Sequence, residues 1–297
     1  MERHSSALRR AQMPVSDVSM AKLMKKTLNF GGSLLDLTIP AVMGILNSTP
    51  DSFFAASRTH SLHEAVDRAG RMLTEGATFL DVGGYSTRPG ADDISPSEEA
   101  DRVLPLVEAL KRVFPEAIIS IDTFRADVAR QAVEAGAGLV NDVSGGSLDP
   151  DMFATVAGLD VPYVLMHLRG TPRTMNQQTT YADLVPDVIF ELQRSLARLR
   201  SFGQKDVLID PGFGFAKNTA QNFQLLNALE AFAVLEAPLL VGLSRKSTIW
   251  RTLDTTPEEA LNGTTVLNTV ALLKGASVLR VHDVRQAVEA ITLVGCL

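Results

Sequence analysis

A single (β/α)8 barrel is the fold this sequence predicts, and three observations carry that prediction. First, eight short apolar runs end in polar residues: AVMGILN at Asn47, TFLDVGGYSTRPG at Asp81 and then Thr87-Arg88, AIISIDT at Asp122, GLVND at Asn141-Asp142, PYVLMH at His167, DVLIDPGFGF at Asp210, VGLSRKS at Ser244-Arg245-Lys246, and SVLRVHD at Arg280 and His282. Second, a helical pattern follows each run, and the runs are apolar on both faces, as parallel strands covered by helices are. Third, the competing open doubly wound sheet carries a glycine-rich phosphate loop after its first strand, and AVMGILNSTPDSFF has none. A barrel gathers its βα loops on one face, so all these polar groups would meet in one pocket.

The elements follow in order. Residues 1–25 carry Arg3, Arg9, Arg10 and several serines, a transit-peptide flavour that Glu2 and Asp17 oppose. They read as a disordered extension, or as the product of a start codon upstream of Met20, ahead of one domain over residues 26–297. Leu28–Leu37, with Gly31-Gly32 in its middle, reads as a hairpin closing the barrel's bottom. Ser61-Leu62-His63-Glu64 reads as a capping box opening a helix whose apolar face is Leu62, Ala65, Val66, Ala69, Met72 and Leu73, stopped at Gly76. Ser95-Pro96-Ser97-Glu98 repeats the device with proline at the first helical position, and Thr256-Pro257-Glu258-Glu259 does so again. Asp127–Ala135 reads as a helix ended by Gly136, and Tyr181–Ser201 as a long amphipathic helix ended by Gly203.

Composition narrows the function. The 297 residues would suit two domains at about 150 each, but barrels of about 250 run as one, and no linker interrupts the chain. A net charge of −6 argues against a nucleic-acid binder. The one cysteine, Cys296, allows neither an internal disulfide nor a cysteine metal site, which suits a reducing cytoplasm. No apolar run approaches the roughly 18 residues of a membrane span.

Two kinds of group are pooled at the strand ends. Asp122, Asn141 and Asp210, with Lys246, suit a flat heterocycle that offers amino and ring N–H donors and a carbonyl acceptor. Asp122 reads equally well as a cap for the helix after it. The glycines of Asp-Pro-Gly-Phe-Gly-Phe allow a ligand close to the backbone at Asp210. Arg280, His282, Arg245, Arg88 and Asn47 form the second group, which favours anions. Arg280 and His282 are two apart and share one side of the eighth strand, where barrels often bind phosphate. His167 reads as a packed structural histidine more readily than a catalytic one. No HExxH, P-loop or GxSxG is present. Magnesium held mainly by substrate phosphate, with one oxygen from Asn47, fits better than a caged transition metal. The pocket therefore reads as a site for displacing a phosphate leaving group by positioning and electrostatics.

GILNSTPDSF, FLDVGGYSTRPGA, SIDTF, VNDVSGG, LMHLRGTPRTM, LIDPGFGFAKN, LVGLSRKS and LRVHDV are similar, in order and spacing, to the successive signatures of the dihydropteroate synthase family, across residues 28 to 293. The resemblance implies a (β/α)8 barrel that joins 6-hydroxymethyl-7,8-dihydropterin diphosphate to p-aminobenzoate, a folate-biosynthesis step blocked by sulfonamides. It implies that Asp122, Asn141, Asp210, Lys246 and Met166 hold the pterin, and that Asn47, Arg280 and His282 take the diphosphate and Mg²⁺. It further implies that Thr87, Arg88 and Pro89, with Phe215, Ser244 and Arg245, frame the aminobenzoate. Asp122, Asp210, Lys246 and Arg280 would carry the chemistry, in a homodimer. Two departures stand out: Phe54-Ala55-Ala56-Ser57 replaces the usual Ser-Asp-Gly-Gly, so Ala55 stands for an acid, and Tyr85 replaces the usual glutamate. A non-catalytic pterin-binding module is the alternative that Ala55 raises, and a pterin-dependent methyltransferase would lack both Ser-Thr-Arg-Pro and the Arg280/His282 pair.

Overall fold

The computed structural model describes residues 26–47, 58–86 and 93–297. The proposed extension, Ala55 and the Thr87-Arg88-Pro89 segment lie outside the described residues. Strands β1 (Thr27–Phe30) and β2 (Ser33–Asp36) pair antiparallel with Phe30 opposite Ser33. The two-residue turn between them needs left-handed backbone twice, and Gly31 and Gly32 supply it at φ 58° and 97°. This is the hairpin the sequence predicts.

Eight parallel strands close into a barrel in the order β10-β3-β4-β5-β6-β7-β8-β9. They are β3 (Ala41–Asn47), β4 (Phe79–Gly83), β5 (Ile118–Asp122), β6 (Leu139–Asp142), β7 (Tyr163–Met166), β8 (Val207–Asp210), β9 (Leu239–Val241) and β10 (Ala276–Val281). The nine α-helices among the described residues are α1 (Arg58–Thr74), α2 (Pro96–Val113), α3 (Ala126–Glu134), α4 (Met152–Leu159), α5 (Leu184–Ser201), α6 (Thr219–Asn227), α7 (Ser247–Thr252), α8 (Leu261–Leu273) and α9 (Val284–Val294).

Strand alternation sorts the barrel interior into layers. Met43, Phe79, Leu139, Val164, Leu208, Leu240 and Val278 form one buried cluster, and the hairpin's Leu28 and Leu37 plug it from below. Each such side chain contributes roughly 1.5–3 kcal/mol on burial. Two residues further along the same face come Asp81, Asn141, Met166, Asp210, Gly242 and Arg280. Asp81, Asn141, Asp210 and Arg280 bring polar groups into the interior within one pleat, while Ile45 and Met166 keep part of that layer apolar. The intervening residues, such as Leu80, Val82, Val140 and Ile209, pack outward under the helices in the second and larger cluster.

Three predicted helix starts move. Arg58 begins α1, so Ser61 lies inside its first turns and does not cap it. Leu184 begins α5, not Tyr181; Pro186 then falls in the first turn, where its missing N–H costs no helical bond. Thr256 Oγ1 accepts from the Glu259 amide at 3.4 Å, capping a single turn, while α8 starts only at Leu261. The Ser95 cap is as predicted: its side chain accepts from the Glu98 amide, and Pro96 is the first helical residue.

Candidate active site

The polar layer is a network centred on a carboxylate with no solvent contact. Asp81 is 0% exposed and accepts from three donors: Ser120 Oγ at 2.6 Å, Asn141 Nδ2 at 3.1 Å and Arg280 Nε at 2.6 Å. Arg280 Nη2 donates to Asp122 Oδ2, also at 2.6 Å. Strand register sets these contacts, since Asp81 lies opposite Ser120 on β5, Asp122 opposite Asn141 on β6 and Met166 opposite Asp210 on β8. One guanidinium spans the buried Asp81 and the half-buried Asp122, and their charge keeps Arg280 protonated against the cost of its burial. Burial pushes the Asp122 carboxyl up; Arg280 opposes that shift, and the neighbouring Asp81 charge adds to it.

The sequence reading counts Asp81 among the polar run ends that meet in the pocket but gives it no role there. A lone acid in FLDVG reads as the strand's end, yet β4 continues to Gly83 and leaves Asp81 in the middle of the inward face. Of the two readings of Asp122, the helix cap falls away, because Arg125 occupies the cap position of α3 and the Asp122 carboxylate pairs with Arg280.

The opposite wall is a glycine turn gripped by lysines. Beyond Asp210 the chain runs through Gly212 at φ 73° and Gly214 at φ 79°. A Cβ on Gly212 would sit 2.1 Å from the His167 carbonyl oxygen, so only glycine fits there. Asp210 Oδ1 accepts from the Gly212 amide at 2.7 Å. Lys246 Nζ donates to the Phe213 carbonyl at 2.5 Å and lies 4.7 Å from the centre of the Phe215 ring. Burial lowers Lys246 to about 8, with Asp210 opposing the shift, and burial raises the Asp210 carboxyl against the pull of Lys246.

The phosphate-favouring residues divide. His282 follows β10 with its Nδ1 3.0 Å from Ser244 Oγ, and burial holds it down to about 4, so it is neutral near pH 7. Asn47 ends β3 exposed at the rim. A Cβ on Gly83 would sit 3.7 Å from Asn47 Oδ1 and 3.6 Å from Asp122 Oδ2, so the glycine keeps space between two oxygens. Arg245 differs from the expectation. Its guanidinium forks onto Asp283 at 2.8 Å and 2.8 Å and also donates to the Pro257 and Glu258 carbonyls. Committed to these acceptors, it braces the loop carrying Ser244 and Lys246, whose backbone passes through Arg245 at φ 54°. Among the described residues no group of three His, Cys, Asp or Glu side chains could cage a metal ion.

His167 is buried behind the glycine turn. Its Nδ1 meets Lys217 Nζ at 2.9 Å and its Nε2 meets Glu191 at 3.1 Å, the structural placement expected of it. Lys217, which lies seven residues past the end of β8, was not legible as a site residue.

The comparisons match this geometry. The pterin binding enzyme family model covers residues 43–282. The dihydropteroate synthase of Escherichia coli K12 is 43% identical over 265 residues, which make up 89% of this chain and 93% of that protein. The crystal structure of the Yersinia pestis dihydropteroate synthase with a sulfonamide drug has a TM-score of 0.85 and 42% identity over 91% of this chain and 98% of that one. The Xanthomonas albilineans dihydropteroate synthase in complex with 7,8-dihydropteroate superposes with a TM-score of 0.81 and 38% identity, covering 91% of this chain and 98% of that one. The chain therefore belongs to the pterin binding enzymes and, among them, to the dihydropteroate synthases.

Proposed function

We propose that this barrel condenses 6-hydroxymethyl-7,8-dihydropterin diphosphate with p-aminobenzoate, giving 7,8-dihydropteroate and pyrophosphate. The observation that carries the reading is one mouth holding two chemistries: a buried acid–amide set with Lys246, and beside it Arg280, Ser244 and His282. The pterin's amino and ring N–H groups are donors to Asp122, Asn141 and Asp210, its carbonyl is an acceptor for Lys246, and Met166 packs on the ring. The diphosphate lies toward Arg280, His282 and Asn47.

As the methylene C–O bond breaks, its electron pair leaves with pyrophosphate, and positive charge develops on the dihydropterin. The aniline nitrogen then forms the new C–N bond and releases one proton. Asp81, Asp122 and Asp210 supply negative potential on the pterin side, while Arg280 and His282 hold the departing anion. A phosphate approaching His282 favours its charged form, so the ring that is neutral in the free protein strengthens its hold once the diphosphate is seated. Thr87, Arg88, Pro89 and Phe215 frame the aminobenzoate, with Ser244 and Arg245 at the neighbouring loop. Asn47 would hold Mg²⁺ together with the substrate diphosphate, and the ion would supply neutralisation of the leaving-group charge.

We place the protein in the cytoplasm as a homodimer. Support for the dimer comes from α8, which carries no charged residue from Leu261 to Leu273 yet leaves Val266 and Leu273 exposed. Among the described residues no helix is long and apolar enough to cross a membrane. The test is release of pyrophosphate that requires p-aminobenzoate. Release is expected from the purified chain, and binding of both substrates without release would point to the non-catalytic module.

A further inference from the structure

We propose that Lys217 is a positioning residue for the pterin site, fixing from behind the turn that Lys246 grips from the front. The inference rests on the assignment of Lys246 and Asp210 to the pterin.

Three carbonyls of the turn after β8 face ammonium groups. Lys246 takes the Phe213 carbonyl at 2.5 Å, while Lys217 takes those of Gly212 at 3.1 Å and Phe215 at 3.0 Å. The third hydrogen of Lys217 goes to His167 Nδ1 at 2.9 Å. Three donors thus meet three acceptors on a group only 7% exposed. Burial lowers Lys217 to about 7, with Asp210 opposing the shift; in its charged form, below that pH, the ammonium can only donate, so Nδ1 is the acceptor and Nε2 carries the ring hydrogen toward Glu191 Oε2 at 3.1 Å. Glu191 is itself fixed by a forked ion pair with Arg169. Arg169 in turn lies 3.9 Å over the Tyr181 ring, and the Tyr181 hydroxyl donates to the Ala216 carbonyl at 2.9 Å. The chain from Arg169 to Lys217 therefore returns to the segment it supports, locking the loops after β7 and β8 together.

The consequence reaches Asp210 in two ways. Its carboxylate accepts from the Gly212 amide, and the Gly212 carbonyl is held by Lys217, so the orientation of Asp210 depends on that clamp. The Lys217 charge also favours the ionised form of Asp210, after the larger contributions of Lys246, the Gly212 amide and Arg280. A packing role alone would set stability. A positioning role sets how tightly, and over what pH range, the pterin binds.

The experiment is calorimetric titration of a pterin lacking the diphosphate, from pH 5 to 8, into the wild type, Lys217→Met and Lys246→Met, with melting temperatures alongside. Methionine fills the buried volume without the charge. Lys217→Met is expected to weaken pterin binding about tenfold and to move the acid limb of affinity to higher pH. A lower melting temperature with affinity and limb both unchanged would overturn the proposal, as would weaker affinity with an unmoved limb. Intact affinity in Lys246→Met would remove the pterin assignment and this proposal with it; lost affinity there, with wild-type behaviour in Lys217→Met, would remove this proposal alone. If Lys217→Met does not fold, Glu191→Gln probes the same chain from its accessible end. Its amide permits the other His167 tautomer, which turns a donor toward Lys217, and about a threefold weaker affinity is expected. Unchanged affinity in that variant would refute the clamp.

Discussion

Replacing Asp81 should damage this protein more than replacing any residue the sequence assigns to substrate. Asp81→Ala leaves three donors without an acceptor, namely Ser120 Oγ, Asn141 Nδ2 and Arg280 Nε, in a layer where Asp81 has no exposure to water. Arg280 keeps its bond to Asp122, so half of its pairing survives. Breaking a buried ion pair by removing one partner costs roughly 3–5 kcal/mol, and unpaired hydroxyl and amide groups add to that. We expect a loss of about 4 kcal/mol, corresponding to a melting-temperature drop on the order of 10 °C for a domain of this size. Urea denaturation gives the loss directly. Asp81→Asn keeps the shape and one acceptor oxygen but turns an N–H₂ toward a donor, so it should recover part of the stability while leaving Arg280 misplaced. The diphosphate substrate should then bind at least tenfold more weakly to both variants. A loss under about 1 kcal/mol in Asp81→Ala would show that Asp122 alone positions Arg280, and the network reading would fail.

Further outcomes follow from the same geometry. Burial holds His282 and His167 down to about 4, below the ordinary 6.5, so the unfolded chain binds more protons between those values. Their stabilising contribution is present above pH 6.5 and is lost as pH falls toward 4. Relative to His282→Asn, the wild type should lose about 1.4 kcal/mol more per pH unit in that window, and parallel stability curves would contradict the burial of His282. Gly212→Ala should cost more than about 2 kcal/mol, because its Cβ meets the His167 carbonyl at 2.1 Å on a left-handed backbone; a melting temperature within a degree of wild type would mean the turn can shift. Leu28→Ala, which opens the plug below Phe79, should cost about 2–5 kcal/mol with pterin affinity unchanged, and weakened binding would mean the hairpin communicates with the mouth.

The barrel was legible because each strand announces its own end. Parallel strands are apolar on both faces, so the polar residues that close the runs, such as Asn47, Asp122 and His282, mark the mouth. Asp81 breaks the rule for a physical reason: a carboxylate inside a strand is tolerated only where a cation reaches it, and that cation, Arg280, is 199 residues away. Arg245 misleads in the opposite sense. Beside Lys246 it reads as a ligand for an anion, but its anion is Asp283 from the next strand end, 38 residues on. Lys217 was hidden because its partners are the backbone carbonyls of a glycine turn, and no residue type signals that a carbonyl is free to accept. The helix starts were the least legible locally. Ser61 and Glu64 have capping-box spacing, yet the chain is already helical at Arg58.

The central claim is that one mouth holds two separable ligand sets, with Lys246 and Asp210 on the pterin and Arg280 and His282 on the diphosphate. The direct measurement is calorimetric affinity for two ligands, the pterin with and without its diphosphate, in Lys246→Ala, Asp210→Asn, Arg280→Ala and His282→Ala. The account predicts that the first two variants weaken both ligands, by roughly 2–5 kcal/mol. It predicts that His282→Ala weakens only the ligand carrying the diphosphate, and that Arg280→Ala, which also loosens Asp122, weakens that ligand far more than the one without it. Equal losses for both ligands in Arg280→Ala and His282→Ala would contradict it, because these residues would then organise the barrel mouth and would not hold the leaving group.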